Sequence, residues 1–246
     1  MNNEILRILD GYLHKNDYES AEKYLKETLE KTLKEDDRKT ALLVLNELMG
    51  LSRKINKKEQ ALHYVDMALD HIKLMEIELN IGAATTYLNS ATVYKAFGMP
   101  ENASPLFLKA KEIYEKNLPQ NDERLAGLYN NMGLNLVDLK EFDKASALYQ
   151  KAISVLKNIK GKEPEQAITY LNMASLTEAK SGLVDGEKEI FKFLDEAVKL
   201  LDLSYSETDG NYAFVCEKCA SVFGYYGYFF YENELKNRSR RIYERS

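Results

Sequence analysis

The chain of 246 residues is 45% hydrophobic and 30% charged, and it contains only 12 glycines and 4 prolines. This composition excludes a disordered or low-complexity protein, and the shortage of turn-forming residues favours long helices over a β-sandwich or β-barrel. The net charge of −5 provides no broad basic surface, so we expect no nucleic acid as the main partner.

The first residues and the cysteine count indicate the compartment. Residues 1–10 lack the basic start and the continuous apolar stretch of a signal peptide, and no segment has the eighteen or so apolar residues that span a membrane. Two cysteines are too few for a disulfide framework in a chain of this length. We therefore expect a cytoplasmic protein that does not bind a membrane.

Small residues recur along the chain with a nearly constant period. Ala21, Ala61, Ala103 and Ala145 are separated by 40, 42 and 42 residues. A second series with the same period consists of Thr28, Ala68, Ala110, Ala152, Ala197 and Ser239. A fixed period of this size is the signature of a repeat protein. Six units fit the chain, at approximately residues 1–40, 41–83, 84–125, 126–166, 167–212 and 213–246.

Each unit has the pattern of two amphipathic helices joined by a short polar turn. Apolar residues recur at helical spacing, and small residues such as Ala91 and Gly133 on the first helices allow the second helices to approach closely. Stacking such pairs buries their apolar faces in series. We predict an all-α fold, a right-handed α-solenoid of stacked antiparallel helix pairs, which forms a single domain over residues 1–246.

Two features depart from the regular unit. In the fifth unit, 16 residues separate Ser181 from Ala197, whereas 12 separate Gly98 from Ala110 in the third. In the third unit, Pro105 lies where the second helix is expected, and a proline is poorly tolerated inside a helix. We therefore predict that this helix begins late.

Nearly all of the chain resembles the tetratricopeptide repeat family, and the fourth unit matches it best. The residues that carry the resemblance are Tyr129, Gly133, Leu136, Phe142, Ala145, Tyr149 and Ala152. The period of about 42 residues, in place of the usual 34, is similar to the long-helix type of kinesin light chains, cell-polarity adaptors and Gram-positive peptide-pheromone sensors. The resemblance implies a non-catalytic module that binds proteins or peptides.

No catalytic motif stands out in the sequence. It contains no phosphate-binding glycine loop, no zinc-binding His-Glu-x-x-His pair and no nucleophile elbow, so we predict no enzyme, no cofactor and no metal site. Cys216 and Cys219 form a Cys-x-x-Cys sequence, which also occurs in redox couples and metal sites. Their register places both side chains on the inward face. We predict structural packing, and a redox or metal role is the alternative.

An asparagine occupies the sixth position of four units. These residues are Asn46, Asn89, Asn131 and Asn172. The resemblance implies that this position faces the concave surface, away from the helix-packing faces. A carboxamide there offers donors and an acceptor to the main chain of an extended peptide. We predict that these asparagines bind a peptide and that folding does not depend on them, the alternative being that they are only typical of the family.

Neighbouring positions refine the expected partner. Leu88, Asn130, Leu134 and Leu171 are expected on the same surface, and none of them is charged. We therefore predict a protein or an extended, largely uncharged peptide as the partner, because a clamp for a terminal carboxylate requires lysine or arginine. A self-assembling architectural oligomer and a peptide-responsive regulatory module are the alternatives.

The C-terminal segment combines aromatic and basic residues. Seven aromatic residues lie between Phe223 and Tyr231, and basic residues dominate the last eleven positions. We predict that this segment closes the solenoid as a terminal helix. A homodimer formed through it is the alternative, because large aromatic side chains are favoured anchors of interfaces.

Overall fold

The computed structural model describes residues 2–205 and 209–245, which form eleven helices and no strand. The helices are α1 (Asn2–His14), α2 (Tyr18–Lys34), α3 (Arg38–Lys54), α4 (Lys58–Leu74), α5 (Ile81–Ala96), α6 (Pro100–Asn117), α7 (Glu123–Asp138), α8 (Phe142–Leu156), α9 (Glu163–Leu203), α10 (Gly210–Tyr225) and α11 (Phe229–Tyr243). The all-α prediction is confirmed. The predicted outer boundaries at residues 1 and 246 lie outside the described residues, as do residues 206–208 of the predicted fifth unit.

The helices divide between two compact modules. The N-terminal module ends at Asn117 and contains α1 to α6, and the C-terminal module begins at Leu118 and contains α7 to α11. Within each module, consecutive helices pack as antiparallel pairs because the turns that join them are only a few residues long. The single domain expected from the sequence stays a prediction.

The fifth helix pair is formed by α9 alone. Gly182 interrupts this helix with φ +79° and ψ 167°, a backbone conformation open essentially to glycine alone. The chain reverses there between two helical segments, residues 163–181 and 183–203. The extra residues of the fifth unit therefore lengthen a helical hairpin and do not form a loop.

Aspartate or asparagine side chains cap the starts of five helices. The side chains of Asp17, Asp37, Asn80, Asp122 and Asp209 accept hydrogen bonds from backbone N–H groups at the starts of α2, α3, α5, α7 and α10. These caps satisfy donors that a helix start otherwise leaves unpaired. The short polar turns predicted between helices are confirmed.

The prediction of a late start for α6 is wrong. The helix begins at Pro100 and continues through Pro105. The proline removes only the hydrogen bond to the carbonyl of Glu101, and Glu101 lies exposed in the first turn, where a carbonyl without a helical partner can face solvent.

The periodic small residues form the centre of both modules. Ala21, Ala61, Ala103, Ala145 and the matching alanines seven residues further on are fully buried. Alanines near the starts of the first helices, such as Ala84 and Ala167, are fully buried as well. Gly133 on α7 faces the fully buried ring of Tyr149 on α8. The predicted close packing of small residues within helix pairs is therefore confirmed.

Candidate functional site

In the N-terminal module, a hydrogen bond joins the predicted asparagines of two successive helix pairs. Asn46 on α3 donates through Nδ2 to the carbonyl of Leu42, at 2.8 Å, and to Oγ1 of Thr86 on α5, at 3.0 Å. Its Oδ1 accepts a hydrogen bond of 2.7 Å from Nδ2 of Asn89. Asn89 keeps its own Oδ1 and one N–H for other partners, and its side chain is partly exposed.

The C-terminal module repeats this arrangement with one change. Asn130 on α7 donates through Nδ2 to Oγ1 of Thr169 on α9, at 2.9 Å, and its Oδ1 accepts from Nδ2 of Asn172 at 3.4 Å. The residue that corresponds to Asn46 in its contacts is thus Asn130. The predicted Asn131 instead donates to the carbonyl of Gly127 in its own helix, at 2.8 Å, and is partly exposed.

The expectation that these asparagines make no contact with a neighbouring helix is therefore wrong for Asn46, Asn89 and Asn172. Asn130, which was expected on the same surface, also bonds to a neighbouring helix. Their carboxamides join the first helices of successive pairs. A hydrogen bond of this kind contributes about 0.5–1.5 kcal/mol net to stability. We expect folding to depend modestly on these four residues.

The leucines predicted on this surface differ in exposure. Leu88 and Leu134 are partly exposed, beside Asn89 and Asn131 respectively. Leu171 is 3% exposed and belongs to the apolar core of the C-terminal module. A ligand cannot reach Leu171 without unpacking that core, so we leave it out of the proposed site.

Two functional candidates were missed by the sequence reasoning. Thr86 and Thr169 are 1% and 0% exposed, and each links an asparagine of the preceding pair to its own helix. The available signal was the tetrapeptide Thr-Tyr-Leu-Asn, which occurs at residues 86–89 and again at 169–172. The same four residues thus place a threonine and an asparagine one helical turn apart in both modules.

The two cysteines pack inward, as predicted. Cys216 and Cys219 lie in the core of the C-terminal module. Burial raises the pKa of the Cys216 thiol to about 11 and that of the Cys219 thiol to about 12. Both groups are therefore held as neutral thiols at pH 7, which is the less reactive form.

The aromatic C-terminal segment is tied to α9 by hydrogen bonds from tyrosines to carboxylates. Tyr225 and Tyr226 both donate to Glu178, at 2.5 and 2.7 Å. Tyr231 donates to Asp202 at 2.9 Å, and the same carboxylate accepts from Arg238 at 2.8 Å. These contacts hold the last helix pair on the fifth one.

A charged cluster lies on the second helices of the N-terminal module. Glu22 on α2 is 8% exposed, and each of its carboxylate oxygens accepts a hydrogen bond of 2.6 Å from a lysine, Lys26 or Lys57. Burial acts to raise the pKa of Glu22, but the hydrogen bonds from both lysines outweigh it and lower the pKa below its ordinary value. This cluster borders a cleft of about 740 Å³ between α2 and α4.

Two other kinds of site are absent from the described residues. Over residues 2–205 and 209–245, no helix is both long enough and apolar enough to cross a membrane. Within the same ranges, no three histidine, cysteine or acidic side chains gather closely enough to hold a metal ion.

Comparison with known proteins identifies the repeat. Residues 126–155 match the tetratricopeptide repeat family. No curated protein sequence matches the chain. The sequence-based resemblance to tetratricopeptide repeats is confirmed, and the matched segment coincides with α7, α8 and the turn between them.

Several solved structures share the fold. The crystal structure of BtubC (BKLC) from P. vanneervenii is 20% identical, with a TM-score of 0.68 over 80% of this chain and 78% of that one. A putative kinesin light chain from Podospora anserina with TPR-like repeats is 13% identical, with a TM-score of 0.57 over 82% and 94%. A Rap protein complexed with competence and sporulation factor is 17% identical, with a TM-score of 0.61 over 98% of this chain and 64% of that one. At these identities the likeness concerns the fold.

Proposed function

We propose that this chain is a non-catalytic scaffold that binds a protein or an extended, largely uncharged peptide on the first helices of its pairs. The main support is a pair of matching surfaces, one in each module. On these surfaces Asn89 and Asn172 each donate a hydrogen bond to a neighbouring asparagine. Each of the two carboxamides keeps its oxygen and one N–H group for a ligand. The fold shared with a Rap protein solved with a bound factor supports this function.

The spacing within each module suits an extended chain. Packed helices lie about 8–10 Å apart, and an extended chain advances about 3.3 Å per residue. Asparagines on successive first helices would therefore meet roughly every third residue of a ligand. Leu88 and Leu134, which are uncharged and partly exposed, would contact the side chains between these points.

The test begins by selecting a peptide on the full chain from a random display library, because the natural ligand is unidentified. Titration calorimetry then measures the affinity of that peptide for the wild type and for Asn89→Ala, Asn131→Ala and Asn172→Ala. Each single change is expected to weaken binding at the surface of its own module by up to about tenfold, and the triple change to abolish binding at both surfaces. Circular dichroism confirms that each variant is folded.

Asn158 supplies a matched control. Its Nδ2 donates to the carbonyl of Ser154 at 2.7 Å, in the same way that Asn131 donates to Gly127, but it follows α8, a second helix. Asn158→Ala is expected to leave affinity unchanged. A folded triple variant that binds the peptide as tightly as the wild type would rule out this surface as the binding site.

Self-association is a second candidate function, favoured by exposed aromatic side chains at the start of α11. Phe229 is 64% exposed and Phe230 is 96% exposed, which is unusual for side chains of this size. Light scattering of the wild type and of a Phe229→Ser/Phe230→Ser variant tests this candidate. A dimer that becomes monomeric in the variant would support it, and a wild type that is monomeric at micromolar concentration would exclude it.

A further inference from the structure

We propose that Thr86 and Thr169 are positioning residues, which orient the carboxamides of Asn89 and Asn172 so that an oxygen acceptor is kept for the ligand. The ligand accordingly has to donate an N–H group at these two points. This inference deepens the proposed function and rests on it. It assigns a role to two buried side chains that no ligand can touch.

In the N-terminal module, two backbone carbonyls determine which groups of Thr86 and Asn46 donate hydrogen bonds. Thr86 donates its hydroxyl proton to the carbonyl of Gly82, at 3.2 Å, so its oxygen is left to accept from Asn46. The carbonyl of Leu42 also faces Nδ2 of Asn46, and a carbonyl can only accept. The nitrogen of Asn46 therefore faces these two oxygens, and its Oδ1 has to face Asn89.

The orientation of Asn89 follows from that of Asn46. Because Oδ1 of Asn46 accepts, the group that Asn89 turns toward it is Nδ2, at 2.7 Å. The carboxamide oxygen of Asn89 is then on the other side of its amide group. A reversed Asn89 would bring two carbonyl oxygens together and lose the hydrogen bond, which the structure avoids.

The C-terminal module uses the same sequence of donors and acceptors. Thr169 donates to the carbonyl of Glu165 at 3.0 Å and accepts from Nδ2 of Asn130 at 2.9 Å. Oδ1 of Asn130 then accepts from Nδ2 of Asn172 at 3.4 Å. The two modules thus have the same order of donors and acceptors, although Asn130 lies one position earlier in its unit than Asn46 does. We infer that the direction of the hydrogen bonds is the property that both modules share.

This arrangement specifies the ligand chemistry. A main-chain N–H of an extended peptide satisfies the oxygen of Asn89 or Asn172, and its neighbouring carbonyl can accept from the N–H that remains on the same amide. A proline or an N-methylated residue has no N–H and is excluded at these points. The surface therefore selects ligands by the main-chain groups that they present.

Nuclear magnetic resonance of the full chain labelled with ¹⁵N tests the hydrogen bonds directly. Both Nδ2 protons of Asn46 and one of Asn89 are expected to exchange slowly with solvent. Thr86→Val keeps the shape but removes the hydroxyl, so Asn46 and Asn89 should lose protection. Thr86→Ser, which restores the hydroxyl, should restore it. Unchanged exchange in Thr86→Val would overturn the inference.

Binding of the selected peptide supplies the second measurement. Thr86→Val is expected to weaken binding by about three- to tenfold, and Thr86→Ser to bind as the wild type does. N-methylation of the peptide residue that contacts Asn89 should cost a similar factor in the wild type and little in Thr86→Val. Thr28→Val is the control, because the hydroxyl of Thr28 donates to the carbonyl of Tyr24 within α2, away from this surface.

The outcomes separate this inference from the proposed function. If Asn89→Ala weakens peptide binding but Thr86→Val does not, the surface binds the peptide and the positioning role is wrong. If neither variant changes the affinity, the proposed function of this surface is wrong as well. If Thr86→Val weakens binding and Thr86→Ser fails to restore it, the effect comes from altered packing, and the inference is again overturned.

Discussion

Adding a single methyl group at residue 133 tests the packing of the fourth helix pair. A Cβ atom there would overlap Cε1 of Tyr149 and lie 2.8 and 2.9 Å from Cζ and Cδ1 of the same ring, and the Tyr149 side chain is fully buried. Carbon atoms in ordinary contact are about 3.5–4.0 Å apart. The ring, or the whole of α8, would therefore have to move by about 1 Å or more.

The size of the effect follows from two opposing contributions. Overpacking a buried site costs about 1–3 kcal/mol, and the close approach to an enclosed ring places this site at the upper end. Replacing glycine by alanine inside a helix gains about 1 kcal/mol. We expect Gly133→Ala to lower the free energy of unfolding by about 2 kcal/mol, and the larger Gly133→Leu to lower it further. Ala145→Leu, in the same helix pair, is expected to be destabilising for the same reason.

Gly127 provides the matched control because it lies on the same helix. Apart from its chain neighbours and the nearby backbone of its own helix, no atom lies within 4 Å of the position that its Cβ would take. Gly127→Ala is expected to stabilise the protein by about 0.5–1 kcal/mol, since it gains helix propensity without a clash. Urea and thermal unfolding followed by circular dichroism measure both variants. If Gly133→Ala stabilises as much as Gly127→Ala, the proposed contact with Tyr149 does not exist.

A double variant isolates the contact itself. Tyr149→Leu removes the ring, so the added methyl group of Gly133→Ala then has space. The cost of Gly133→Ala should be smaller in the Tyr149→Leu background than in the wild type, and the difference measures the coupling between the two positions. Equal costs in both backgrounds would show that the methyl group meets some other part of the protein.

Three further predictions concern other parts of the chain. Glu22→Gln should lower the free energy of unfolding by about 1 kcal/mol at pH 7. Because the pKa of Glu22 is lowered from 4.5 in the folded state, this difference from the wild type should persist above pH 4.5 and disappear as the pH falls below it. Urea unfolding at a series of pH values measures the difference. Cys216 and Cys219 should resist iodoacetamide at pH 8 in the native protein and react after denaturation, as mass spectrometry will show, whereas rapid native labelling would contradict their burial. Truncation after Ser221 should expose the apolar faces of α9 and α10, and sedimentation experiments should then show aggregation. A folded monomer would instead support dimerisation through the removed segment. A soluble species with an unchanged oligomeric state would contradict both the closing role of this segment and its role in dimerisation.

The helix pairs were predictable from the sequence because each periodic small residue has one physical role. A residue such as Ala103 or Ala145 has to be small wherever two helices approach closely, so its spacing reports the repeat directly. The extra residues of the fifth unit were harder to place. Their number is compatible with a loop or with longer helices, and only the position of Gly182 decides between the two.

The candidate site was predictable at the level of the helix but not of the side chain. Asn130 and Asn131 are adjacent, so they differ by about 100° around α7, and counting from the start of the unit selects Asn131. The structure places Asn130 against the next first helix. Leu171 was assigned to the surface by the same counting and lies in the core. Small rotations of a helix decide such cases, and they depend on packing that the sequence pattern does not show.

The glycines that face a neighbouring helix have a consequence for how such a chain can grow or be recombined. In the fourth pair, Gly133 of the first helix leaves space for the ring of Tyr149 on the second helix. In the sixth pair, Gly224 of the first helix leaves space for Glu232 of the second in the same way. In the fifth pair the order is reversed, because Gly186 of the second segment faces Thr177 of the first. A single helix moved from one pair to another would meet a partner of the wrong size. We therefore expect that duplication or exchange within such a chain preserves its packing when both helices of a pair are transferred together.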